Sequence, residues 1–112
     1  MTISNLIEAV QKAEMVAFSE VIATIDTHFI FTPTPFTNGT VTNEANSNNG
    51  SCKVFSFAKM YQLNEKDTLF LFGEHYQKVL ATPKEMDHQN IRNFINSGWE
   101  GISFEGNALE LK

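Results

Sequence analysis

Cysteine, arginine and long apolar runs are scarce in this chain. Its 112 residues include one cysteine, Cys52, and one arginine, Arg92. A single cysteine excludes a disulfide framework within the chain and favours a reducing compartment. No stretch approaches the roughly 20 apolar residues that a membrane span requires, and no secretory signal is visible at the N-terminus. These absences predict a soluble, cytoplasmic protein with no membrane partner.

Positive charge is also sparse. Eight basic residues face thirteen acidic ones, which gives a formal net charge of −5, and the clustered Lys and Arg typical of nucleic-acid surfaces are missing. The acid–histidine pairs Glu74-His75 and Asp87-His88 diverge on a helix, and neither HExxH nor CxxC spacing occurs. We therefore predict no nucleic-acid partner, no metal and no cofactor.

Apolar and aromatic residues, by contrast, are plentiful. Hydrophobic residues make up 42% of the sequence, and ten are phenylalanines. A chain of this length buries roughly two-thirds of its unfolded surface, so it needs neither a disulfide nor a metal to fold. We predict one domain, residues 1–112, and a monomer.

Apolar periodicity predicts several amphipathic helices. The first follows Thr2 as N-cap and has apolar residues at i, i+3, i+4 and i+7, and a second repeats this pattern from Phe18. The segment from 43 to 50 is polar and rich in asparagine, which is typical of an exposed loop. Further helices are predicted to begin at these capping residues: Ser51, Asn64, Thr82 and Asp87. The last of them is expected to stop at Gly98.

Two turn dipeptides predict β-hairpins. Asn38-Gly39 favours a tight turn because both positions accept positive φ, and that register places Phe36 opposite Val41. Gly106-Asn107 separates two alternating segments and places Phe104 opposite Leu109. Hairpins cannot bury their apolar faces alone, so we expect them to pack on the helices. The predicted fold class is α+β, a helix-rich single domain with two β-hairpins forming a small antiparallel sheet.

Several residue blocks occur in order along nearly the whole chain. They are Phe31-Thr32-Pro33-Thr34, Phe36, Asn38-Gly39, Gly50-Ser51-Cys52-Lys53, Phe55, Phe57, Phe72-Gly73, Tyr76, Asp87-His88-Gln89-Asn90-Ile91-Arg92 and Gly98-Trp99. This ordered set resembles the HopJ family of type III effectors. The resemblance implies secretion into a host cell through a type III system. It carries over no established catalytic residue.

Cys52 is the candidate nucleophile. A cysteine in the first turn of a helix has a lowered pKa because of the partial positive charge there. His75 and His88 follow it in the sequence, and Asn90 or Asp87 would orient an imidazole, as in cysteine hydrolases. The alternative is a small packing residue at a helix start. We favour that alternative, since free cysteine is usually buried and inert.

Three further residues are candidates for binding. Arg92 shares a helical face with His88 and would bind a carboxylate or phosphate bidentately, or would instead pair with an acidic group of the fold. Ser51 lies at a helix start whose backbone N–H groups can receive an anion. Trp99 either covers the core or offers a ligand platform, and for both Arg92 and Trp99 we favour the structural role.

Three functions remain open from the sequence. The first is an effector-like protein that acts by binding a protein partner without catalysis. The second is a small cysteine-dependent hydrolase or transferase that uses Cys52 and His88. The third is an intracellular domain that binds an anion or small molecule at Arg92 and the Gly50-Ser51 helix start.

Overall fold

The computed structural model describes all residues, Met1–Lys112, as six helices and five short strands. The helices are α1 (Ile3–Gln11), α2 (Phe18–His28), α3 (Asn49–Met60), α4 (Glu65–Phe70), α5 (Glu74–Ala81) and α6 (Gln89–Ser97), and a 3₁₀ turn, Gly98–Gly101, follows α6. The strands are β1 (Phe29–Phe31), β2 (Phe36–Asn38), β3 (Val41–Asn43), β4 (Ile102–Phe104) and β5 (Leu109–Leu111). No helix has the length and apolar character needed to cross a membrane.

Two predicted helix caps are confirmed. The Thr2 hydroxyl accepts a hydrogen bond from the Asn5 amide at 3.0 Å, and the Asn64 side chain accepts one from the Asp67 amide at 2.8 Å. Both bonds join residues three apart, so they satisfy an orphan N–H at the start of α1 and α4 without help from the rest of the fold. Gly98, at φ 60°, ends α6 as predicted.

The other three predicted helix starts are wrong. Helix α3 begins two residues before Ser51, after Asn48. Thr82 ends α5 instead of starting a helix. Helix α6 begins after His88 and not after Asp87, because the Asp87 carboxylate is held by Lys78 and Arg92 and so does not cap the helix.

The first hairpin forms with a different register from the predicted one. Strands β2 and β3 pair with Phe36 opposite Asn43 and Asn38 opposite Val41, so the predicted contact of Phe36 with Val41 is wrong. The reason is tertiary, because the buried Asn38 side chain binds α6 and keeps Asn38 within the strand. Gly39, at φ 60°, supplies the left-handed turn position.

The second predicted hairpin does not form, since β4 and β5 belong to different sheets. One sheet has the order β3-β2-β4 with Phe36 opposite Phe104, and the other pairs β1 with β5, with Phe31 opposite Leu109. The connection containing Gly106-Asn107 carries the chain from one sheet to the other. The α+β class is confirmed, as two small antiparallel sheets packed with six helices.

Phe55 of α3 lies at the centre of an aromatic core. Its ring centroid is 5.0 Å from that of Phe94 and 5.3 Å from that of Phe72. Phe36 and Trp99 pack around it at 6.0 and 6.4 Å. Helix α3 thus contacts β2, α6 and the segment before α5 through one fully buried side chain, which fixes the position of its N-terminus.

Candidate functional site

A cleft of about 530 Å³ opens where the starts of α3 and α6 approach each other. Aromatic rings line one part of it and the first turn of α3 lines another: Phe18, Phe72, His75, His88, Gly50 and Ser51. Pockets of about 300–1,000 Å³ that combine apolar walls with a few polar groups are typical of small-ligand sites. The cleft is therefore the candidate functional site.

Two histidines form the most distinctive pair in the cleft. The ring centroids of His75 and His88 lie 4.9 Å apart, and the Phe18 ring meets His75 edge-on at 4.8 Å. His88 has a left-handed backbone, φ 50° and ψ 47°. A non-glycine residue keeps such a conformation only where its surroundings impose it, and these residues concentrate at functional sites.

The protonation of His88 follows from its surroundings. Burial lowers the pKa of His88, the Asp87 carboxylate opposes that effect, and the charges of His75, Lys78 and Arg92 lower it further. Because the pKa lies below 6.5, the imidazole is mainly neutral at pH 7. In this form one ring nitrogen donates and the other accepts a hydrogen bond.

Asparagine side chains hold the polar side of the cleft in place. Asn38 donates to the Asn90 carbonyl oxygen at 2.8 Å, and Asn43 and Asn90 exchange two side-chain bonds of 3.1 and 2.9 Å. Asn48, just before α3, donates to Asn43 at 2.6 Å. This asparagine network (Asn38, Asn43, Asn48, Asn90) ties β2 and β3 to the starts of α3 and α6.

The sequence analysis missed the asparagine network. It assigned Asn38 to a turn and Asn43 to the beginning of an exposed loop, whereas both side chains are buried. One signal was present, because alternation along a strand puts Asn38 on the same face as the buried Phe36. A polar residue at an inward position indicates a buried hydrogen-bond network, since an unpaired buried amide is costly.

Arg92 lies behind the cleft and does not line it. Its guanidinium donates to the Asp87 carbonyl and carboxylate at 2.6 and 2.7 Å and to the Thr82 carbonyl at 2.7 Å. Hydrogen bonds from Lys78 and then Arg92 lower the pKa of Asp87 to about 2. The arrangement favours the structural alternative for Arg92, which anchors the segment leading to His88.

Cys52 is separated from the histidines. Its side chain is 2% exposed, its thiol donates to the Thr34 carbonyl at 3.5 Å, and it does not line the cleft that contains His75 and His88. Burial raises the pKa of the Cys52 thiol, outweighing the hydrogen bonds and the nearby Lys53 charge that lower it. The placement favours a packing role.

Ser51 and Trp99 occupy different environments. Ser51, the third residue of α3, lines the cleft. Trp99 packs its ring against Phe94, with centroids 5.1 Å apart, and its indole N–H donates to the Leu63 carbonyl at 3.0 Å. These contacts favour the core-covering role for Trp99, whereas Ser51 remains a candidate binding residue.

Comparisons with known proteins agree with the resemblance found in the sequence. The fold is similar to the crystal structure of a protein of unknown function, VPA0580, with a TM-score of 0.96 and 45% identity over 100% of this chain and 95% of that one. No curated protein matches the chain. The family model of the HopJ type III effector protein matches residues 3–109. The chain therefore belongs to the HopJ type III effector family.

Proposed function

We propose that this protein is an effector delivered through a type III system that acts by binding a ligand in the cleft, and not by covalent catalysis at Cys52. Membership of the HopJ family supports delivery. The observation that carries the binding function is the separation of the only thiol from the only pair of histidines. Cys52 is buried in the core, whereas His75 and His88 line an open cleft.

A cysteine hydrolase requires a different geometry. Its thiolate must form readily, and an imidazole must lie within hydrogen-bond reach of the sulfur. Here the sulfur donates to a backbone carbonyl, and burial raises the pKa of the thiol. The neutral, buried thiol of Cys52 suits packing better than attack on a substrate.

The cleft suits recognition of a small group. Its volume of about 530 Å³ accommodates a small molecule or one side chain of a protein partner, whereas a stable protein interface covers roughly 800 Å² on each partner. Two helix starts, two imidazoles and an aromatic wall meet there, each fixed by packing or by the asparagine network. The site is thus largely pre-formed, which limits the entropy lost on binding.

Delivery is tested by fusing the chain to an intracellular reporter enzyme. The fusion is expressed in a bacterium with a working type III apparatus and in a matched strain that lacks its ATPase. We expect reporter signal in host cells only with the working apparatus. Equal signal from both strains, or none from either while a known effector fusion is delivered, contradicts delivery.

The mode of action is tested with two variants in the same strain. We expect Cys52→Ala to retain the effect of the wild type on host cells, and Ser51→Trp to lose it because the indole fills the cleft. Delivery and thermal stability of both variants are measured in parallel. Loss of the effect in a stable, delivered Cys52→Ala variant would reject binding without catalysis.

A further inference from the structure

We propose that the cleft binds a small organic anion, a carboxylate attached to a flat ring, with the carboxylate on the imidazoles of His75 and His88 and the ring against Phe18. This inference rests on the proposed binding function and names the ligand class of the same site. It combines three independent properties of the cleft, namely its charge balance, its paired imidazoles and its apolar side.

The charge balance of the cleft differs from that of the whole protein. The chain carries a net charge of −5, yet Asp87 is the only carboxylate lining the cleft. Lys78 and Arg92 each bind the Asp87 carboxylate at 2.7 Å. Both cations pair with this one carboxylate, and Glu74 beside His75 accepts a hydrogen bond from the Phe18 amide, so no free carboxylate in the lining repels an incoming one.

The paired imidazoles give the cleft a charge that responds to the ligand. Unliganded, His88 resists protonation because of burial and the positive groups His75, Lys78 and Arg92, with only Asp87 opposing them. A bound carboxylate adds a second negative charge near the ring and favours the imidazolium. Binding therefore takes up a proton, and affinity rises as the pH falls.

Backbone N–H groups add to the polar side. The first intrahelical bonds of α3 and α6 are made by Cys52 and Ile91, so the preceding amides, including those of the cleft residues Gly50 and Ser51, have no carbonyl partner within their helices. Gly50 and Ser51 line the same cleft as the two histidines, so their amides are available to a carboxylate bound there. They supplement the imidazoles and need no rearrangement.

The apolar side of the cleft provides the surface on which the ring of the ligand packs. Phe18 stacks on Phe72 with centroids 6.2 Å apart and rings 9° from parallel, which fixes a flat aromatic wall beside His75. Met86 at the rim is 79% exposed. A flexible thioether side chain adapts to ligands of different shape and packs well on aromatic rings.

The test uses benzoate with benzamide as its neutral isostere and acetate as the ring-free anion. Binding to the full chain is followed by amide and imidazole NMR shifts at pH 5.5 and pH 8.0, where benzoate stays ionised. We expect benzoate to shift the resonances of Gly50, Ser51, His75 and His88 and to bind more tightly at pH 5.5 than at pH 8.0, by at most about tenfold for each pKa unit that His88 gains. Acetate should bind more weakly, and benzamide should cause no saturable shift.

Two variants separate binding from folding. Ser51→Asp places a carboxylate in the first turn of α3, where it stabilises the helix, yet it should reduce benzoate affinity at least about tenfold by repulsion. His88→Asn keeps a residue that tolerates left-handed backbone and should reduce the pH dependence of benzoate binding. His28→Gln, at the end of α2 outside the cleft, is the matched control and should bind as the wild type does.

Two results would overturn the anion inference. One is equal affinity for benzamide and benzoate, and the other is wild-type affinity of Ser51→Asp for benzoate. Neither result affects the proposed binding function, which would then concern a neutral ligand. Conversely, a catalytic role for Cys52 would reject the proposed function even if benzoate bound as expected.

Discussion

Ser51 and Cys52 are neighbours in the first turn of α3, but they belong to two contrasting regions of the molecule. Ser51 lines the open cleft, whereas Cys52 is buried in the core with its thiol against the Thr34 carbonyl. The first turn of α3 thus lines the cleft on one face and packs into the core on the other. Placement in a first turn does not by itself make a cysteine reactive, because desolvation here outweighs the effects that lower its pKa.

The two regions are also stabilised differently. In the core, Phe55 contacts four aromatic side chains. Removal of these rings from water stabilises this region through the hydrophobic effect. At the cleft, the asparagine network holds the helix starts through directional hydrogen bonds. Aromatic packing fills the centre of the core, whereas the side-chain hydrogen bonds join the segments that carry the cleft residues.

The largest effect should come from the core. Phe55→Ala removes the central ring and should lower the free energy of unfolding by about 3–5 kcal/mol, because it combines lost burial with a cavity. Urea denaturation measures this loss. Ile95→Ala, at a position that is 44% exposed, is the control and should change it by less than about 0.5 kcal/mol. Similar losses in both variants would show that Phe55 is not the centre of the core.

The asparagine network should contribute less than Phe55 to the free energy of unfolding. Its larger effect should be on the positions of the cleft residues. Asn43→Ala removes three side-chain bonds and should cost about 2–3 kcal/mol, since partners are left unsatisfied. It should also shift the amide NMR resonances of Gly50, Ser51 and His88. Asn96→Ala, exposed on α6, is the matched control. If Asn43→Ala left these cleft resonances unchanged, the network would have no positioning role.

Acid should weaken the segment behind the cleft through Asp87. The pKa of Asp87 is lowered from 3.8 to about 2, so its stabilising contribution is complete above pH 3.8 and is lost as the pH falls through 2. The difference in unfolding free energy between the wild type and Asp87→Asn should therefore shrink between pH 4 and pH 2. A constant difference across this range would contradict the ion pairs with Lys78 and Arg92.

The smallest effect is expected at Cys52. Its alkylation by iodoacetamide in the folded protein should have a midpoint above the ordinary value of 9.0, because burial raises the pKa of the thiol. His88→Asn should leave this midpoint unchanged, since His88 lines the cleft and Cys52 does not. A midpoint below about 7 that rises in His88→Asn would instead support a thiolate–imidazolium pair.

Features that depend on neighbouring residues were predicted well from the sequence. The caps at Thr2 and Asn64 are bonds between residues three apart, and the stop at Gly98 uses a positive φ that glycine adopts readily. The capping interpretation failed at Thr82 and Asp87. There Arg92, from the later helix α6, binds the Thr82 hydroxyl and the Asp87 carboxylate, the groups that a cap would use, and the capping pattern contains no information about such a competitor.

The sequence by itself determined the α+β class, the family, the first two helices and the residue types available to a site. The tertiary structure decided the strand partners and the site, because both depend on contacts between residues far apart in the chain. Phe104 pairs with Phe36 and not with Leu109, and Asn90 meets Asn38 and Asn43 across about fifty residues. Cys52 lies on the buried face of α3 and the histidines line the cleft. Which face of a helix stays open to water depends on the residues packed against it.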